Sequence, residues 1–132
     1  MMRRHLLGLV AVAGLATACH GGPHVSVTPN TGLVDGQTVT VRGSGYSPNS
    51  SLGIVQCPTG ADSLDDCDGR TAHSFSADAA GNYVQPLTVQ RVIRRSSSGP
   101  ETDCAVPGSC IVASVYIHGF QGLATAPIEF AP

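Results

Sequence analysis

The sequence contains no tryptophan and no lysine, and only 5% of its residues are aromatic and 12% charged. Each shortage excludes something. Without Trp, the antibody pattern of a buried indole packed on a long-range Cys pair is ruled out. Without Lys, Gly43-Ser44-Gly45 is not a phosphate-binding loop, and since no helical pattern follows it, it reads as a turn. The few charges accompany 42% hydrophobic residues in a chain of 132. That composition describes one globular domain rather than a disordered chain or a pair of domains.

What is present points to strands. Sixteen Gly and nine Pro, with abundant Val, Thr and Ser, suit short strands joined by tight turns and argue against a helical bundle. The amino terminus is an address. Arg3 and Arg4 precede an uncharged apolar run, Leu6 to Ala18, of 13 residues, too short to span a bilayer, so residues 1–18 read as a signal peptide. Leu15-Ala16-Thr17-Ala18-Cys19 resembles a bacterial lipoprotein processing box, although Ala16 stands where a larger aliphatic residue is commoner. The expectation is an exported protein held at the cell membrane by lipid on Cys19; an ordinary cut near Ala18 would make it secreted. Residues 19–24 then form a tether and residues 25–132 the domain. Loss of Arg3 and Arg4 takes the formal charge from -2 to -4. With Arg91, Arg94 and Arg95 as the basic cluster, direct nucleic-acid binding is not expected.

Five cysteines leave one thiol over in an oxidising compartment. If Cys19 carries lipid, the remainder fall into two local groups, Cys57 with Cys67 and Cys104 with Cys110. Four cysteines allow three connectivities, of which short-range closure within each group is the most easily met. Zinc is disfavoured, since the spacings are too wide for a zinc knuckle and no His lies at the needed offset. Asp62, Asp65, Asp66 and Asp68 crowd one Cys loop but lack the alternation and closing Glu of a calcium loop. No metal site is expected.

Apolar alternation marks seven strands: Val25 to Thr28, Thr38 to Arg42, Leu52 to Cys57, Ala72 to Ser76, Tyr83 to Val89, Ile111 to Ile117 and Ala126 to Phe130. That count is that of a seven-stranded antiparallel immunoglobulin-like sandwich, an all-β fold with two short loop disulfides. Asp78 to Tyr83 reads as a hairpin turn, and Pro86 places its strand at an edge or a bulge. The expected core is Phe75, Phe130, Leu33, Leu87, Val39, Val41, Val89 and Ile128, with both disulfides outside it. Tyr46, Tyr116 and Phe120 are either cleft or ordinary core and rim aromatics.

The string from Val25 to Gly45 (VSVTPNTGLVDGQTVTVRGSG) resembles the opening of the neocarzinostatin family, the apoproteins of enediyne antibiotics. Gln56-Cys57 after a strand, nine residues between Cys57 and Cys67, Ser74 to Gly81 as the family's central hairpin, and a second short Cys loop agree with it. The resemblance runs from Val25 to about Phe130. It implies a sandwich with two loop disulfides and a cleft beside the main sheet that holds a labile aromatic chromophore, with the protein as a non-catalytic carrier. The chain departs from the family pattern at the ligand. Thr59, Asp65 and Ala72 fall where the carriers place large apolar or aromatic groups, and the loop from Arg91 to Cys104 is shorter and holds no aromatic residue.

Gln56, Thr59, Ala72, Ser74, Ile111, Ala113 and Val115 are therefore the expected cleft residues, with Ile111, Ala113 and Val115 as its floor. Catalysis is not expected: Ser96, Ser97, Ser98, His73 and His118 are linked by no motif. Three roles remain: a monomeric carrier of an apolar or aromatic small molecule, a surface interaction module without ligand, and an antibacterial apoprotein whose chromophore attacks DNA. No other cofactor is implied.

Overall fold

The computed structural model describes residues 22–96, 98–118 and 120–132. Cys19 and residues 1–18, the expected signal peptide, lie outside the described residues, as do Ser97 and Gly119. Seven long strands form two sheets: β1 (His24–Thr28), β2 (Thr38–Ser44), β3 (Ser51–Pro58), β4 (Asp68–Ser76), β5 (Tyr83–Thr88), β8 (Cys110–Tyr116) and β9 (Ala124–Ile128). A separate ribbon pairs β6 (Val92–Ile93) with β7 (Thr102–Asp103). One sheet has the order β1-β2-β5 and the other β4-β3-β8-β9. All ladders are antiparallel. Pro86 sits on β5, the sheet's edge, where a missing N–H costs no ladder bond.

Two expectations need correction. Asp78 to Tyr83 is not a hairpin, because β4 pairs with β3 and β5 with β2, so this turn carries the chain from one sheet to the other. Its chemistry is the same as a hairpin's: Asp78 Oδ1 accepts from the N–H of Ala80 and of Asn82, and Gly81 takes φ 78°. The second concerns the disulfides, which are Cys57–Cys67 and Cys104–Cys110. Cys104 and Cys110 belong to the main core with Leu33, Val39, Val41, Leu87, Val89, Ile128 and Phe130. Cys57 and Cys67 form a second cluster with Val55 and Ala113. Both loops fold back onto the sandwich, and sulfur is apolar enough to be buried there. Phe75 is half-buried at the margin of the core, and Phe130 lies beyond β9 in a bridge with Leu33.

The strands share one orientation scheme that matters for the surface. The start of β1, the end of β2, the Asp78 corner and the β8–β9 connection lie at one end. Both disulfide loops, the β6–β7 ribbon and the carboxyl terminus lie at the other.

Candidate functional site

β3 and β8 are the inner strands of the four-stranded sheet, and their side chains alternate between its two faces. Leu52, Ile54 and Gln56 on β3 and Val112, Ser114 and Tyr116 on β8 face the other sheet. Gly53, Val55 and Cys57, with Ile111, Ala113 and Val115, face outward. On that outer face Gly53 lies opposite Ser74 on β4 and Val115 on β8. Because Gly53 has no side chain, a hollow of about 130 Å³ opens over it, walled by Val55, Ala72, Ser74, Val115 and Ile117. Leu64 leans over it from a 3-10 turn, Leu64–Asp66, in the Cys57–Cys67 loop, and His73 closes its edge. Apart from His73 and the Ser74 hydroxyl, the lining side chains are aliphatic.

Ala72, Ser74 and Val115 thus come together from the expected set. Ala113 lies one register step away, fully buried under the Cys57–Cys67 bridge with Val55, and Ile111 packs beside it. Thr59 is past the end of β3 and exposed; its Oγ donates to the Gly108 carbonyl at 2.7 Å, and its N–H donates to that of Ser109 at 2.9 Å.

Gln56 is on the opposite face, fully buried. Its Nε2 donates to the Gln90 carbonyl at 2.6 Å and its Oε1 accepts from the Gln90 N–H at 2.9 Å. This side chain substitutes for a strand pair and ties β3 to the segment after β5. Its parity with Leu52 and Ile54 was the signal for that orientation. The same parity would have placed Gly53 and Val55 on the outer face.

Behind the hollow, on the inner face of β8, the Ser114 hydroxyl accepts from Tyr46 and from Tyr83, each at 2.6 Å. Burial pushes the Tyr83 phenol up to about 12, against the lowering effect of its Ser114 bond, and pushes Tyr46 up in the same sense. Both stay protonated at neutral pH. Tyr83 also packs on Phe75 at 4.5 Å between ring centroids, and Tyr116 on Tyr46 at 5.3 Å. These rings fill the interior rather than the hollow. Phe120 is half-buried in the β8–β9 connection.

The acidic loop is spent on internal contacts. Asp66 pairs with Arg95 at 3.4 Å and accepts the Asp62 N–H. Asp68 is buried, which works to raise its pKa; the Arg70 guanidinium and the backbone N–H groups of Arg94 and Arg70 outweigh this and hold it below the ordinary value. Among the described residues, no three His, Cys, Asp or Glu side chains converge as a metal site would require.

The sequence profile of the neocarzinostatin family matches residues 25–130. Macromomycin from Streptomyces macromomyceticus is 42% identical over 52% of this chain and 48% of that protein. The antitumor antibiotic C-1027 apoprotein of Streptomyces globisporus is 38% identical over 81% of this chain and 76% of that protein. In structure the chain resembles solved macromomycin with a TM-score of 0.70 at 32% identity, covering 83% of this chain and 99% of that one. With every strand from β2 to β9, and all of β1 but His24, inside the matched segment and the architecture shared, the chain belongs to the neocarzinostatin family.

Proposed function

We propose that the domain is an exported, non-catalytic, monomeric carrier that holds an apolar small molecule in the hollow on the outer face of the four-stranded sheet. The observation that carries this reading is the aliphatic depression over Gly53, in a chain with a relative whose own name is apoprotein. No nucleophile, base and orienter meet in it, so the chemistry available is burial of an apolar group with one hydroxyl and one imidazole at the rim. The lipid on Cys19 belongs to the same proposal. Radiolabelled fatty acid is expected in the wild type and absent from Cys19→Ser; equal labelling would refute the anchor.

A volume of about 130 Å³ falls below the roughly 300–1,000 Å³ of sites that enclose drug-sized ligands, which favours a slim ligand or, as the second reading, an interaction module. Ala113→Phe does not separate these readings, since Ala113 is buried under the disulfide and a ring there would unseat it. Ala72→Phe does, because Ala72 is exposed on edge strand β4 and a ring there fills the hollow. Native mass spectrometry of protein from its own host should show a bound molecule in the parent and none in Ala72→Phe. An unladen parent that gives no calorimetric heat with apolar or aromatic ligands would favour the interaction module. A co-purifying chromophore that cleaves DNA after extraction would instead promote the antibiotic reading.

A further inference from the structure

The surface is strongly polarised along the sandwich. Of the nine acidic residues, Asp78 alone lies at the end where the chain enters. Asp62, Asp65, Asp66, Asp68, Glu101 and Asp103 lie in or beside the disulfide loops and the ribbon, and Asp35 and Glu129 occupy turns at that same far end. Arg70, Arg91, Arg94 and Arg95 are there too, whereas Arg42 is near the entry end. The eight acids against four arginines put a formal charge of -4 at the far end, whereas Asp78 and Arg42 leave the entry end neutral.

The entry end also carries exposed apolar groups. Ile117 is 38% and Leu123 43% exposed in the β8–β9 connection, with Phe120 half-buried between them in sequence. This connection adjoins the point of entry. The position of a Cβ on Gly45 would lie 3.0 Å from the Gly22 carbonyl, and the hydroxyl of the next residue, Tyr46, reaches the Gly122 carbonyl at 3.5 Å.

We propose that this end of the sandwich docks on a phospholipid bilayer through Ile117, Phe120 and Leu123. On the reading that Cys19 carries lipid, His24 is five residue steps from the anchor, a reach of at most about 18 Å, so chain length alone holds this end near the bilayer. Anionic headgroups repel the charged far end and turn the neutral end toward the lipid, while apolar side chains gain by leaving water at the interface.

The absence of Trp makes the test direct. The full chain carrying Cys19→Ser, exported and purified without any lipid, is mixed with phosphatidylglycerol–phosphatidylcholine vesicles, so the result does not depend on whether Cys19 is acylated. An added Leu123→Trp should shift its emission to shorter wavelength and be quenched by brominated lipid; an added Val106→Trp, at the far end, should do neither. Ile117→Ser with Leu123→Ser should lower vesicle partitioning about tenfold, and Val34→Ser with Val106→Ser, more exposed still but at the far end, should leave it unchanged. Equal shifts at both Trp positions, no shift at either, or unaltered partitioning of the Ile117/Leu123 variant would overturn the docking surface. The fatty-acid labelling above tests the anchor separately.

Discussion

At the scale of single residues, two buried polar side chains do more for the fold than the composition suggests. Ser114 accepts from both Tyr46 and Tyr83, so Ser114→Ala leaves two buried phenols without their close partner. The expected loss is about 2–4 kcal/mol in denaturant unfolding, and Tyr83→Phe should cost less because Ser114 still meets Tyr46. The same group sets an alkaline limit. A phenol that titrates near 12 when folded and near 10 when unfolded favours the folded state fully below pH 10, and this contribution disappears as pH rises from 10 to 12. It amounts to about 2–3 kcal/mol, and Tyr83→Phe should flatten the stability profile across that window. Asp68 acts with the opposite sign: its lowered pKa stabilises above the ordinary carboxylate range, and the benefit is lost as pH falls through it. Asp68→Asn should therefore be less stable than the parent at pH 7 and lose less on acidification, read by urea unfolding at each pH.

At the scale of elements, β3 explains both what the sequence discloses and what it hides. Its ladder partners β4 and β8 make it central, and alternation from Leu52 to Gln56 discloses the inward face directly. The outward face is legible only in part. Val55 and Cys57 are buried because the Cys57–Cys67 loop returns over them, a tertiary event that local pattern does not encode. For the same reason Ala113 passes for an open cleft floor in the sequence but is a covered contact in the fold. The Asp78 corner is hidden differently, since an Asp-x-x-Gly turn serves a hairpin and an inter-sheet crossing equally well. Closing the Cys57–Cys67 loop should stabilise by roughly 2–3 kcal/mol. Replacing both cysteines with Ser should lower the unfolding midpoint accordingly and raise hydrogen exchange at Val55 and Ala113, while the Gln90 N–H, which donates to Gln56 Oε1 on the other face, keeps its protection.

At the scale of the whole molecule, the sandwich is closed along both sides by different means. On one side the edge strands β4 and β5 are bridged by side chains: His73 Nε2 lies 2.9 Å from Gln85 Oε1, and Phe75 packs on Tyr83. On the other, β1 packs against β9, and the chain beyond β9 is stitched down by backbone. The N–H groups of Glu129, Phe130 and Ala131 donate in turn to Asn30, Cys104 and Leu33. Phe130 itself is 2% exposed and shares the core with Leu33, Ile93 and the Cys104–Cys110 bridge, so one ring joins the last residues of the chain to the first turn and the second disulfide. Phe130→Ala removes that ring where the surroundings are held by backbone bonds and a covalent bridge and cannot collapse into the space. Such sites lie at the costly end of the roughly 3–5 kcal/mol range for Phe→Ala. Against a total stability of about 5–15 kcal/mol, that loss should lower the thermal midpoint by more than ten degrees. His73→Ala, which removes one exposed contact from the opposite side, should change it by only a few. If the two variants melted together, closure would be shared evenly by the two sides, and the carboxyl-terminal stitch would not be the feature that holds the sheets in register.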